Sequence, residues 1–223
     1  MVSSAPSKLT AFQREVLDAF FQRERGFFLT GGAALAGFHL GHRTTDDLDL
    51  FTLQQAAFER SRFILADVAA AVGAVLDVRQ DAPGFRRVVL SRGDEALVVD
   101  LVKDVSSQLH LDKLERDHIV VDPADEILAN KLTAIVGRAE KRDLIDVMLL
   151  ERAGYSVEAA LSAALAKDGG CTPATLAWLL SEVKVPDGVE LPAGVSPVEL
   201  QAYLADLIRR LLVLAAPGET GPP

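Results

Sequence analysis

The sequence predicts an α/β (α+β) protein in which a mixed sheet with interleaved helices is followed by a C-terminal helical bundle. Three observations predict it. Between Phe27 and Lys103, short apolar runs with strand-like alternation are bounded by Gly, Asp and Pro. From Asp122 onward the apolar residues recur at helical spacing instead. Of the 223 residues, 49% are hydrophobic, enough for one sizeable core with a helical extension.

In chain order, Ser7 is placed to cap a first helix carrying Leu9, Phe12, Val16, Leu17, Phe20 and Phe21 on one face, with Gly26 closing it. Phe27 to Thr30 reads as a strand, Gly31-Gly32 as a tight turn, and Ala33 to Leu40 as a helix of small and apolar residues. "DLDLF" is the second strand, and Gln54 to Ala71 a long helix ended by Gly73. "AVLDVRQ", "FRRVVLSR" and "ALVVDLV" read as three strands, the last two joined around "GDE" as a hairpin. Asp122 then caps a helix with Pro123 at its first position and a stripe of Ile127, Leu128, Leu132 and Ile135. Four more amphipathic segments follow: "KRDLIDVMLLERAG", "SVEAALSAALAKDGG", "TPATLAWLLSEV" and "SPVELQAYLADLIRRLLVLAA". The boundaries drawn are 1–121 for the core, 122–215 for the helical region and 216–223 for a disordered tail.

The net charge of −9 argues against a broad nucleic-acid-binding face, because phosphate contacts need concentrated lysine and arginine. It leaves room for a local one, and any polyanion should meet the first two-thirds of the chain, where Arg79, Arg86, Arg87, Arg92 and Lys103 stand against Asp81, Asp94, Glu95 and Asp100. A single cysteine excludes an intrachain disulfide, and no apolar run approaches the roughly 20 residues that span a bilayer. The N-terminal segment scatters charges through its apolar positions, unlike a signal peptide. The expectation is a soluble cytoplasmic protein with no membrane partner.

The stretch "TGGAALAGFHLGHRTTDDLDLF" carries the chemistry. On a strand, alternate residues share a face, so Asp47 and Asp49 would stand side by side about 6–7 Å apart while Leu48 and Leu50 enter the core. Aspartate is depleted in strands and like charges repel, so a compensating cation is expected. Magnesium suits such a pair, since it is commonly held by one or two carboxylates plus substrate phosphates. The plain alternative is a strand end with solvated acids. Gly31-Gly32 shifts the balance, because a glycine turn opening a helix lets a polyphosphate approach backbone N–H groups. It is neither a Walker A loop nor a dinucleotide fingerprint, lacking the lysine-hydroxyl pair of the first and the third glycine of the second.

With its Gly-Gly turn, short helix and R-x-[ST]-x-D-x-D arm of Arg43, Thr45, Asp47 and Asp49, this stretch resembles the first signature of the AbiEii/AbiGii nucleotidyltransferase toxins, MenT-like members of the DNA polymerase β-like superfamily. The order of elements agrees over roughly residues 25 to 152. The resemblance implies a polymerase β-like nucleotidyltransferase sheet and transfer of NMP from a nucleoside triphosphate to an acceptor hydroxyl, with release of pyrophosphate. It implies that Asp47 and Asp49 coordinate Mg2+, or Mn2+ in its place, and that Gly31 and Gly32 cradle the triphosphate beside Arg43 and Thr45. A third carboxylate usually completes such a site, and the candidate is Asp100, a lone acid in "ALVVDLVKD"; the alternative for it is a strand-end acid beside the Lys103-Asp104 turn.

A second signature of the family, a lysine on a helix after the sheet and then a basic-acidic pair, resembles "EILANKLTAIVGRAEKRDLIDVMLL". Lys131 and Arg138 lie two helical turns apart, on one face if the helix continues, and two cations there suit phosphate. By resemblance, Asp143 orients Lys131 or accepts a proton; its alternative is dipole complementarity at a helix start. Arg142 and Asp146 read as an ordinary i, i+4 ion pair. His39 and His42 lack the partners of a zinc site, Cys171 reads as buried packing, and Trp178 as core. Arg86 and Arg87 straddle the faces of one strand, so only one can reach the site.

The resemblance further implies a toxin with a cognate antitoxin encoded nearby, acting on tRNA 3′ ends, and a helical bundle closing over the nucleotide. The acidic balance favours a rival acceptor, a polycationic small molecule of the aminoglycoside type. A non-catalytic partner-binding module with the same fold is the third reading.

Overall fold

The computed structural model describes residues 6–216, so most of the expected tail lies outside the described residues. The chain divides into two compact units, residues 1–105 with 110–127, and residues 106–109 with 128–223.

The first unit is built on a seven-stranded mixed sheet of β1 (Phe28–Thr30), β2 (Asp47–Thr52), β3 (Val75–Ala82), β4 (Phe85–Arg92), β5 (Glu95–Lys103), β6 (Leu114–Arg116) and β7 (Ile119–Val121). The strand order is β3-β4-β5-β2-β1-β7-β6. Hairpins make β3/β4, β4/β5 and β6/β7 antiparallel, and β1/β2 is antiparallel as well, whereas β2 runs parallel to β5 and β1 parallel to β7. The outer hairpin of β6 and β7 is absent from the sequence reading. Its strands are three residues each, and its turn places Asp117 and His118 at positive φ (48° and 60°), where Asn-Gly or Asp-Gly is the usual signal.

Helix α1 (Ala11–Phe21) is capped by Thr10, not Ser7. Thr10 Oγ1 accepts from Gln13 N (3.1 Å) and Gln13 Oε1 accepts from Thr10 N (2.9 Å), a reciprocal box that the lone Ser7 hydroxyl cannot offer. Nor does Gly26 close the helix, which ends at Phe21. Gly26 is needed for close approach: a β-carbon there would lie 2.9 Å from Ala57 Cβ. Helix α3 (Gln55–Ala71) ends as expected, with Gly73 at φ +67°. α1 and α3 pack on each other and on the sheet around Phe12, Phe20, Phe21, Leu65 and Val68.

The two faces of the sheet are told apart by neighbours on β4. Arg86 reaches α3, donating to Ser61 Oγ (2.5 Å) and pairing with Asp81 (2.8 Å). Its register partner on β5 is Leu101, and Leu101 pairs in turn with Leu50, both fully buried. The α3 side is therefore the core side. Arg87, Asp100 and Asp49, which share the adjacent register, stand on the opposite face.

The second unit contains the later part of α4 (Ala124–Gly137), then α5 (Lys141–Arg152), α6 (Val157–Lys167), α7 (Pro173–Ser181) and α8 (Pro197–Ala215). Ser156, Thr172 and Ser196 cap α6, α7 and α8. Leu144, Ile145, Met148, Leu176, Leu180, Leu200, Leu204 and Leu207 fill its interior. Trp178 corrects the sequence reading: it is 63% exposed, not core. α7 is apolar nearly all round, so periodicity does not mark its inner face, and Leu176, Ala177 and Leu180 take that place. Among the described residues no helix is long and apolar enough to cross a membrane.

Candidate active site

The site residues of the first unit gather where β1 ends and β2 runs beside it. Thr30 is the register partner of Asp49, so the bend that follows Thr30 is delivered directly to that aspartate. The expected turn and helix merge here. The helical segment α2 (Gly31–Ala34) begins at Gly31 itself and continues into a π-helical turn over Leu35–His39. Gly31 adopts φ +62°, and a β-carbon on it would collide with Asp49 Oδ2. A β-carbon on Gly32 would lie 2.8 Å from Arg43 Nη2 and 3.3 Å from Thr45 Oγ1. Gly31 is thus required by its backbone as well as by the approach of Asp49, whereas a side chain at Gly32 would push on the Arg43 guanidinium.

The arm is ordered by its own side chains. Thr45 Oγ1 donates to Asp47 Oδ1 (2.9 Å), fixing that carboxylate, and Arg43 Nη1 donates to the carbonyl of Thr44 (3.0 Å). Gln13, unremarked in the sequence, donates from Nε2 to the Thr45 carbonyl (2.7 Å) and ties the arm to α1. Along β2, burial alternates strictly: Leu48 and Leu50 are buried, and Asp47 and Asp49 stand half-buried on the other face.

Asp100 lies in mid-strand opposite Asp49, not at a strand end. Val99 and Leu101 beside it are fully buried, and its carboxylate is gripped by Arg87 through Nε–Oδ1 (2.7 Å) and Nη2–Oδ2 (2.6 Å). That hydrogen bond and the charge of Asp100, with Asp47 and Asp49 adding to it, raise Arg87 above the usual arginine range. Among the described residues no three His, Cys, Asp or Glu side chains form a ready-made metal cage. What fits a hard divalent cation is the half-buried Asp47–Asp49 pair, because such ions take one or two carboxylates and complete their shell with substrate oxygens.

A buried charge cluster underlies the bend. Thr30 Oγ1 donates to Asp122 Oδ2 (2.7 Å), and Lys113 Nζ sits 2.8 Å from Asp122 Oδ1 and 3.6 Å from Glu126 Oε2. The Asp122 carbonyl lies 2.8 Å from His39 Nε2. Burial pushes Asp122 up from the usual carboxylate range despite Lys113, and burial holds His39 down. Sequence reading places Asp122 as a helix cap; it does not reveal this non-local anchor for Thr30.

In the second unit, Lys131 is buried and its amine lies between Asp143 Oδ1 (2.6 Å) and Asp146 Oδ2 (2.7 Å). Arg138, one residue beyond α4, also reaches Asp143 (3.0 Å). The two cations expected on one face therefore share one carboxylate. Burial alone would raise Asp143, but the charge and hydrogen bond of Lys131, with those of Arg138, hold it below its ordinary range. The expected Arg142–Asp146 pair does not form. Arg142 turns back to Glu140 (2.6 Å), and Asp146 faces inward to Lys131. Cys171 is fully buried, as expected, and burial pushes its thiol up to about 11.

The first unit thus presents acidic side chains on one face of a mixed sheet beside a glycine bend. Two solved structures share the overall fold: a Helicobacter pylori protein assigned as a nucleotidyltransferase (TM-score 0.56, 18% identity, 90% of this chain and 93% of that one) and JHP933 from the same organism (TM-score 0.55, 19% identity, 91% of each chain). The family profile described as nucleotidyl transferase AbiEii toxin, type IV toxin–antitoxin system, matches residues 15–213, and the chain belongs to that family. No curated protein matches.

Proposed function

We propose that the protein transfers a nucleoside monophosphate from a nucleoside triphosphate to an acceptor hydroxyl, releasing pyrophosphate, and that the acceptor is the 3′ end of tRNA. Membership of the AbiEii family supports nucleotidyl transfer and an antitoxin partner. The single observation that supports the site assignment is the contact of the Gly31 bend with Asp49, which joins a glycine turn, the kind of backbone that can offer N–H groups to phosphate, to the carboxylate pair. In this reading the bend and Arg43 hold the triphosphate, and Thr45 keeps Asp47 aimed. Asp47 and Asp49, with Asp100, hold Mg2+ or Mn2+. When bound, the metal supplies charge stabilisation for the phosphoryl oxygens and activation of the attacking hydroxyl. Lys131, Arg138 and Asp143 enter through the family's second motif: Lys131 and Arg138 bind nucleotide and Asp143 fixes the orientation of both.

The test is label transfer. The protein is incubated with each α-32P-labelled nucleoside triphosphate and Mg2+, in the presence of total tRNA or of an aminoglycoside. Label on the tRNA terminus, abolished by Asp49→Asn, is the expected result. Label on the drug alone removes the tRNA assignment, and no transfer to either with folded protein removes the activity.

A further inference from the structure

Arg87 and Asp100 are unequal partners. The Asp100 side chain is nine-tenths buried in mid-strand, and fully buried Val99 and Leu101 on either side anchor that stretch of backbone in the core. The Arg87 side chain is half-exposed, with its guanidinium 5.6 Å from the Phe85 ring centroid. Both Asp100 oxygens are used by the guanidinium fork. The register that pairs Arg87 with Asp100 also pairs Asp100 with Asp49, so this cation sits at the edge of the acidic face. Three carboxylates on one face need neutralising, and the guanidinium supplies one charge at the position where a third metal-binding carboxylate would be used.

We propose that Arg87 serves as a resident counter-cation for Asp100, competes with the divalent cation for that carboxylate, and once displaced binds a phosphate of the nucleotide. The inference rests on the nucleotidyl-transfer reading above. Displacement breaks no covalent bond. It exchanges one charge-assisted fork for another, since a guanidinium matches phosphate as well as carboxylate. The half-exposed position gives the arginine freedom to leave, and the buried acid stays to receive the ion.

The test uses the full chain and two probes, Mn2+ alone followed by electron paramagnetic resonance, and inorganic triphosphate titrated at saturating Mn2+. Removing a unit positive charge beside the ion should tighten Mn2+ binding by Arg87→Met roughly tenfold, and the same variant should bind triphosphate roughly tenfold more weakly. Arg87→Gln gives the same two readings if the methionine variant does not fold. An ion pair with a merely structural role would lower the melting temperature without this pair of opposite shifts. Arg87 variants that fold and bind Mn2+ no tighter than wild type overturn the proposal, provided Asp49→Asn loses Mn2+. If wild type and Asp49→Asn take up Mn2+ alike, or neither takes it up, the metal-dependent reading itself fails and the proposal with it.

Discussion

Gly31 stands against Asp49 so closely that one added β-carbon would overlap the carboxylate. This contact joins the end of β1 to the acidic face of β2, and it separates two roles that glycine plays in the chain. Gly31→Ala meets both a positive φ of +62° and a collision, whereas Gly73→Ala meets a positive φ of +67° in open space. Each substitution should cost about 1–2 kcal/mol from left-handed backbone, seen as similar falls in melting temperature. Only Gly31→Ala should also displace Asp49 and abolish label transfer. Equal activity of the two variants would show that the bend does not touch the chemistry.

Thr45→Val removes the hydroxyl that aims Asp47 while keeping the side-chain volume. A hydrogen bond to a charged group is worth about 1.5–3 kcal/mol, so transfer should fall by roughly 10- to 100-fold with kcat carrying the loss. Gln13→Leu, which releases the Thr45 carbonyl, should act in the same direction and lower stability as well. Steady-state kinetics and thermal melts of both variants decide the matter.

Lys131→Met leaves Asp143 and Asp146 buried without their shared cation, a change expected to cost about 3–5 kcal/mol. The pH dependence has a definite sign. Asp143 is held below its ordinary 3.8, so its contribution to stability is present above that value and is lost as pH falls through the lower folded-state value. In the variant Asp143 keeps Arg138 but loses the Lys131 charge and hydrogen bond, and protonates more readily. The gap in melting temperature between wild type and Lys131→Met should therefore narrow as the pH is lowered from 7 to 4. A gap that widens on acidification would contradict the buried triad.

The Cys171 thiol, fully buried and pushed up to about 11, should react with Ellman's reagent at pH 8 only after the chain unfolds. Its reaction rate should follow the denaturant unfolding curve, and Cys171→Ala should keep label transfer. Rapid modification of the folded protein would show an accessible thiol.

The acidic arm was legible because its chemistry is local. Leu48 and Leu50 alternate with Asp47 and Asp49, and period-two alternation assigns faces without knowledge of the partner strand. The same held for the Gly73 terminus of α3, whose αL ending is written in one residue. The Thr10–Gln13 cap is equally local, a hydroxyl and an amide three residues apart, and Ser7 competes with it along the sequence as a second hydroxyl before the same helix. The exposure of Trp178 is not legible in the same way, because an apolar helix has no polar face to orient it.

By itself, the sequence determined the alternation of sheet and helices, the bend at Gly31-Gly32, and the shared face of Asp47 and Asp49, because each depends on steric or periodic rules that act within a few residues. Only the tertiary structure decided that Arg87 grips Asp100, that Asp122 and Lys113 sit beneath Thr30, and that Asp146 turns to Lys131 instead of Arg142. Those pairings are choices among many compatible charges. They are made by burial and register, which bring together residues that no spacing rule along the chain connects.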